Sequence, residues 1–167
     1  MNRLYKDTFG KTPSAIAKLS GSGSNRLYYR CTDESGHSVI AVEGESLKEN
    51  RSFLALAKQM SAKGIRVPEI LAVSDDEMRY IQEDLGSVSL FDIIESGKKN
   101  GTPWDGELVE ILKQVMTDLP KIQFETADGY DFGLSVREKK FCAKSIRWDL
   151  NYFKYCFLTL TRIPFDE

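Results

Sequence analysis

Between Ala15 and Val42, apolar residues alternate with polar ones in short runs that are separated by turn residues. A period of two is typical of β-strands that bury one face. The pattern predicts three strands, over residues 15–19, 26–31 and 38–42. Because the connections between them are short, we expect an antiparallel meander.

From Leu47 onward the spacing of apolar residues changes to three and four, which predicts a long helix that ends near Gly64. Its apolar positions are Leu47, Phe53, Leu54, Ala57 and Met60. Two further strands are predicted over residues 67–73 and 78–82, and a short helix over the first nine residues. The fold class is therefore α+β, with a five-stranded antiparallel sheet and one long helix packed on it.

The second half of the chain is predicted to be helical. A short helix over residues 90–95 begins after the cap residue Ser89, and residues 96–106 are polar and contain glycine, as linkers often do. An amphipathic helix follows between Leu108 and Leu119, and an aromatic helix over residues 146–158. We interpret residues 1–95 as one lobe and residues 96–167 as a linker with the helical start of a second lobe.

Composition excludes several classes of protein. Hydrophobic residues make up 41% of the chain, which is enough for a packed core. The net charge of -2 excludes a general basic surface for nucleic acid, and no apolar run is long enough to cross a membrane. The charged N-terminus lacks an export signal, and three cysteines without metal-ligand spacing are typical of a reducing compartment. We expect a cytoplasmic protein.

The turn between the first two strands alternates serine and glycine from Ser20 to Ser24. Glycine lets the backbone approach a ligand closely, and successive N–H groups can surround an anion. A flexible turn without a ligand is an equally good interpretation. No Gly-Lys-Ser/Thr follows, and a strand rather than a helix comes next, so neither a Walker A loop nor a Rossmann fingerprint is present.

Three segments together resemble the aminoglycoside phosphotransferase and choline kinase family, which has the protein-kinase-like fold. They are residues 19–26 (LSGSGSNR), 65–72 (IRVPEILA) and 82–92 (QEDLGSVSLFD). The last matches the acidic stretch that crosses between the lobes in such enzymes. The likeness covers residues 15–95 well and the remainder only loosely.

The resemblance implies a cleft for ATP and Mg²⁺. The glycine-rich turn would lie over the phosphates, and the main chain at the end of the fifth strand would bind adenine, although an ordinary strand end with a helix cap explains that segment too. Glu49 would be the family's ion-pairing glutamate, with Glu45 as a competitor. The implied nucleotide-binding residues are Ser20, Gly21, Ser22, Gly23, Ser24, Asn25, Arg26, Glu49, Gln82, Glu83, Asp84 and Leu85.

The chain departs from the family's pattern at the phosphate-binding lysine. The third strand ends in Ile40-Ala41-Val42-Glu43, where such enzymes have a V-A-I-K-like sequence. A carboxylate therefore stands where the resemblance implies a cation. The nearby candidates to replace it are Arg26, Arg30 and Lys48.

A catalytic loop of the form H-x-D-x-x-x-x-N is absent from the sequence. The one histidine, His37, lies in a predicted hairpin turn, and the kinase-like tripeptide Asp131-Phe132-Gly133 has no catalytic loop before it, so we interpret it as coincidence. We assign no catalytic and no metal-binding residue. The expected function is the ATP-binding part of a kinase for the hydroxyl group of a small acceptor, inactive as this chain.

Whether the chain is a piece of a longer enzyme or a complete protein stays open, and so does the identity of the acceptor. The alternative function is a non-catalytic kinase-like module that docks a protein partner. The aromatic helix carries Trp148, Tyr152 and Tyr155 at steps of four and three. Aromatic residues on an uncovered face favour self-association, so a homodimer through residues 146–158 is a further hypothesis.

Overall fold

The computed structural model describes residues 2–20, 25–102, 104–136, 142–161 and 163–165. The chain forms two compact units, Met1–Tyr130 and Asp131–Glu167. The predicted lobe boundary near residue 96 stays a prediction.

The first unit contains a five-stranded sheet in which every neighbouring pair is antiparallel. The strands are β1 (Ala15–Lys18), β2 (Leu27–Thr32), β3 (Ser38–Glu43), β4 (Ile70–Val73) and β5 (Arg79–Glu83). Their order across the sheet is β1-β2-β3-β5-β4. The predicted antiparallel sheet is confirmed. β4 begins later than predicted because the segment before it contains Pro68, which has no N–H to donate to a neighbouring strand.

Five α-helices lie among the described residues, which confirms the α+β class. They are α1 (Asn2–Phe9), α2 (Leu47–Ala62), α3 (Leu90–Lys99), α4 (Gly106–Pro120) and α5 (Ala143–Cys156). The Ser89 hydroxyl accepts a hydrogen bond from the Asp92 amide, and the Asp92 carboxylate accepts from the Ser89 amide. This capping box fixes the start of α3, which then continues four residues into the polar stretch that we interpreted as a linker.

Both faces of the sheet are packed. On one, the α1 face, Tyr5 of α1 lies against Val39, Ala41 and Ile81. On the other, the α2 face, Ile40, Val42 and Tyr80 pack against α2. The two sets alternate along β3 and β5 because successive side chains of a strand point to opposite faces. The contacts of α2 include a stack of the Phe53 and Tyr80 rings, whose centroids are 5.2 Å apart.

The C-terminal end of α2 forms hydrogen bonds and an ion pair with the turn at residues 126–129. Gln59 Nε2 donates to the carbonyl oxygens of Thr126 and Asp128 at 3.2 and 2.8 Å. Lys63 Nζ lies 2.9 Å from a carboxylate oxygen of Asp128. In the second unit, α5 is followed by a short 3₁₀ turn. None of the described helices has both the length and the apolar character that a membrane span requires.

Candidate functional site

The α2 face brings together residues from β2, from β5 and from the position just before β2. Tyr28 packs on this face, so Arg26 and Arg30 lie on it as well, because they are two residues before and after Tyr28. Tyr80 likewise places Gln82 and Asp84 on this face. The predicted residues Arg26, Gln82 and Asp84 therefore share one surface of the sheet with α2.

Arg26 lies just before β2 and is hydrogen-bonded to α2. Its Nε donates to Asn50 Oδ1 at 3.3 Å, and its Nη2 donates to the carbonyl oxygen of Glu49 at 3.0 Å. The guanidinium carbon lies 5.0 Å from the centroid of the Phe53 ring, within the range of a cation–π interaction. These three contacts connect the guanidinium to α2.

Asn50 is fully buried, and its side-chain oxygen accepts the hydrogen bond from Arg26. Its Nδ2 donates to the carbonyl oxygens of Glu77 and Met78 at 3.0 and 3.1 Å. A Cβ atom at Gly44 would lie only 2.3 Å from Asn50 Oδ1, so a glycine is required there. The sequence reasoning missed Asn50. A signal was present, because Asn50 is the polar member of the apolar stripe formed by Leu47, Leu54 and Ala57.

Glu49 contributes its main chain to this arrangement. Its carbonyl oxygen accepts from Arg26, and its side chain is exposed on the first turn of α2. Within the described residues its carboxylate forms no ion pair, and the competitor Glu45 is also exposed. The ion-pairing role that the resemblance implies for Glu49 stays a prediction.

Glu43, which occupies the expected lysine position, lies on the α1 face, away from α2. It is two residues after Ala41, and its Oε1 is 3.1 Å from Arg79 Nε of the neighbouring strand. The residue of β3 next to Glu43 that does face α2 is the apolar, fully buried Val42. β3 therefore supplies a cross-strand ion pair on one face and apolar packing on the other.

Arg30 is paired with Asp84 at the opposite end of the α2 face. Its Nε and Nη2 donate to the two carboxylate oxygens at 2.6 and 2.9 Å, and Ser38 Oγ donates to Oδ2 at 2.7 Å. The Asp84 side chain is 5% exposed. The hydrogen bonds from Arg30, assisted by that of Ser38, lower the pKa of Asp84 to about 2 although burial acts in the opposite direction.

The predicted adenine-binding segment is partly used within the sheet. Gln82 pairs with both Ile40 and Ile70, and the Glu83 amide donates to the Glu69 carbonyl at 2.9 Å. The strand ends at Glu83, so the main chain of Asp84 and Leu85 lies beyond the last pair.

Within the described part of the chain, two buried polar atoms on the α2 face have no hydrogen-bond partner, Tyr80 Oη and Gln82 Oε1. Such atoms cost folding free energy, and each one in a native structure calls for an explanation. Burial raises the pKa of Tyr80, while the nearby charge of Arg26 acts in the opposite direction. Tyr80 and Arg26 therefore belong to one polar environment within an otherwise apolar contact.

Of the other residues predicted to bind phosphate, Ser20 and Asn25 are exposed. Gly21, Ser22, Gly23 and Ser24 lie outside the described residues. His37 is exposed in its hairpin turn.

Asp131 has a local structural role, because its Oδ1 accepts from the Gly133 amide at 2.7 Å. No group of three His, Cys, Asp or Glu side chains that could hold a metal ion occurs in the described part of the chain. These residues therefore do not fit a resident Mg²⁺ ion, and we assign it no ligand.

Comparison with models of known protein families gave no match to this sequence, and a search of curated proteins gave none either.

Proposed function

We propose that this chain binds a nucleoside triphosphate on the α2 face, as the ATP-binding lobe of a small-molecule phosphotransferase. The observation that carries the proposal is the position of both ends of the predicted site on one surface. Arg26 lies just before the first residue of β2, and Asp84 lies just after the last residue of β5. The residues predicted for the phosphate and base contacts thus belong to the same face of the sheet.

The spacing along the strands supports an extended ligand. Arg30 is level with Gln82, because both pair with Ile40 in the strand between them. Arg26 is four residues before Arg30, which at about 3.3 Å per residue corresponds to roughly 13 Å. A separation of this size is of the order of the length of an extended nucleotide.

Binding without transfer is what we propose for this chain. Phosphoryl transfer in this fold needs a catalytic aspartate and metal ligands that hold Mg²⁺ on the phosphates. The sequence has no loop of the form H-x-D-x-x-x-x-N, and the described residues contain no metal-ligand cluster. The acceptor of such an enzyme would be a hydroxylated small molecule, to which we assign no residue.

Calorimetric titration with Mg-ATP tests the proposal. We expect saturable binding, and at a ligand concentration 100-fold above Kd a gain of about 2.7 kcal/mol in the free energy of unfolding. Hydrogen exchange measured by mass spectrometry should show slower exchange near residues 25–30 and 84–86 in the presence of Mg-ATP.

The amides of α5 serve as the internal control, because they lie in the second compact unit. Their exchange should be unchanged by Mg-ATP. The proposal is wrong if Mg-ATP, Mg-ADP and adenosine all fail to bind, or if protection appears only outside the two expected segments.

A second candidate is a non-catalytic module that docks a protein partner. The exposure of aromatic residues on α5 favours it, since Trp148 is 65% and Tyr155 62% exposed. Absence of nucleotide binding in the titration would favour the docking module over the nucleotide-binding lobe.

A further inference from the structure

A groove, the α4 groove, lies between the segment after α2 and the helix α4, both in the first compact unit. Its volume is about 580 Å³, and sites for small molecules typically measure about 300–1,000 Å³. None of the described residues that line it is among those predicted to bind nucleotide. A ligand in this groove would therefore be distinct from the proposed nucleotide.

One wall of the α4 groove is the segment that follows α2. Gly64 adopts a φ of +73°, and its amide donates to the Ser61 carbonyl at 3.0 Å. The Ile65 amide donates to the Met60 carbonyl, also at 3.0 Å. Both hydrogen bonds are those of a Schellman motif. They fix the main chain immediately before Arg66, which also lines the groove.

The other wall is an apolar stripe on α4 and the turn that continues it. Ile111, Val115, Leu119 and Ile122 follow one another at steps of three and four, which places them on one side. The last three are between 38% and 44% exposed. After Pro120, which has no N–H to donate, the α-helix changes to a π-helical turn. Such turns occur frequently at functional sites.

The rim of the α4 groove has an excess of positive charge. Both oxygens of the Asp118 carboxylate already accept hydrogen bonds, from Lys121 Nζ at 2.8 Å and from Gln114 Nε2 at 2.9 Å. The bond from Lys121 lowers the pKa of Asp118, that from Gln114 assists it, and the nearby charge of Arg66 acts in the same direction. Arg66 is exposed, and within the described residues its guanidinium forms no hydrogen bond or ion pair. The rim therefore has one cation available for an anion.

A second groove, of about 550 Å³ between α2 and β4, provides a comparison. Its lining contains one cation, Lys58, and one carboxylate, Glu69, whose charges cancel. It therefore lacks the excess charge that would select an anion.

We propose that the α4 groove binds a small monocarboxylate with an apolar chain, whose chain lies against the α4 stripe and whose carboxylate contacts Arg66. A guanidinium can donate two parallel N–H bonds to one carboxylate, a geometry that gives specificity as well as affinity. The chain covers the half-exposed stripe, so each additional CH₂ group strengthens binding until the groove is filled.

Methyl NMR titrations with octanoate and with 1-octanol, on the 167-residue chain and its variants, test this inference. Octanoate should shift the methyl signals of Ile65, Ile111 and Val115 in a saturable way. 1-Octanol has the same chain without the charge and should bind roughly three- to tenfold more weakly, as expected for an ion pair at an exposed site. Hexanoate is two CH₂ groups shorter and should also bind several-fold more weakly. The methyl groups of Leu54 and Val67, in the second groove, are the internal control and should not distinguish octanoate from 1-octanol.

Arg66→Gln should lower the octanoate affinity to that of 1-octanol and leave the 1-octanol affinity within about twofold. The matched control is Lys113→Gln, which removes a cation of α4 that pairs with Glu110 outside the groove lining. Val115→Phe fills the groove and should weaken both probes. Met116→Phe makes the same kind of change one position further along α4, outside the lining, and should weaken neither.

Equal affinities for octanoate and 1-octanol, or an equal loss of both in Arg66→Gln, would overturn the inference because the charge would then select nothing. Methyl shifts confined to residues outside the α4 groove would overturn it as well, and so would the absence of octanoate binding. Mg-ATP takes no part in these titrations, so each of these outcomes leaves the proposed function standing.

Discussion

At the scale of single residues, the contact between Gly44 and Asn50 has the least tolerance for change. A methyl group at Gly44 would lie 2.3 to 2.7 Å from three atoms of the Asn50 amide. The amide cannot move away without losing its bonds to Glu77 and Met78. We expect Gly44→Ala to lower the free energy of unfolding by about 1–3 kcal/mol, the usual cost of overpacking, measured by urea denaturation.

The control for this substitution is Gly106→Ala at the start of α4, where a Cβ atom would meet nothing within 4 Å. Alanine is the better helix former, so this variant should be neutral or more stable by up to about 1 kcal/mol. In an Asn50→Ala background the methyl group has room, and Gly44→Ala should then cost less. An equal cost in both backgrounds would show that the steric contact is not its cause.

Residue identity could be predicted better than residue orientation at this site. The pattern Ile40-Ala41-Val42-Glu43 correctly indicated a third strand, but a shift of one residue along a strand moves a side chain to the other face. The face depends on how β3 and β5 pack against α1 and α2, which no local pattern specifies. Asn50 was missed for a related reason, because its contacts are with main-chain carbonyl groups far away in the sequence.

At the scale of elements, the pair Arg30–Asp84 connects β2 with the end of β5 across the intervening β3. Asp84 has its pKa lowered from an ordinary value of 3.8 to about 2 in the folded chain. A carboxylate with a depressed pKa adds stability above its unfolded value, and the addition is lost as the pH falls toward the folded value. We expect Asp84→Asn to destabilise the chain by roughly 2 kcal/mol at neutral pH.

The difference between the unmodified chain and Asp84→Asn should shrink between about pH 4 and pH 2, because Asp84 then becomes neutral in both states. Urea denaturation over this pH range measures it. Asp7→Asn is the control, since its partner Arg3 is almost fully exposed and such surface pairs contribute little. A difference that persists undiminished at pH 2 would assign the effect of Asp84→Asn to packing rather than to charge.

Elements with strong periodicity were predicted well, and those that depend on capping or on proline were less well bounded. α2 ends where Gly64 adopts a φ of +73°, as its position indicated. α3 runs beyond the predicted range through polar residues up to Lys99, and within this last turn Lys98 forms an i,i+3 ion pair with Glu95. α5 spans Ala143–Cys156 and so begins three residues before its predicted start.

At the scale of the whole molecule, chain order was enough to predict the sheet but not the site. Three strands, a helix and two strands leave few arrangements with short connections, and the antiparallel sheet follows. The site depends on which residues of strands far apart in the sequence lie side by side in the sheet. Arg30 and Gln82 are an example, because both pair with Ile40 of the strand between them. That correspondence follows from the register, which the whole packed core determines.

The exposed aromatic side chains of α5 favour association of two copies of the molecule. Trp148 and Tyr152 stack at 5.5 Å on one side of the helix, and they are 65% and 58% exposed. Exposed aromatic pairs of this kind provide binding energy when a second surface covers them. We expect the average mass in solution to rise from 18.9 kDa toward twice that value with increasing concentration, measured by light scattering.

Trp148→Lys should abolish the rise, because a charge at the centre of an aromatic interface must be desolvated without a partner. Arg147→Gln provides the control, since it changes an exposed neighbour whose side chain projects about 100° away around the helix. If α5 forms the interface, the two variants must differ, and a constant monomer mass for the unmodified chain at high concentration would exclude the homodimer. Because α5 lies in the second compact unit, Trp148→Lys should leave Mg-ATP binding by the first unit unchanged.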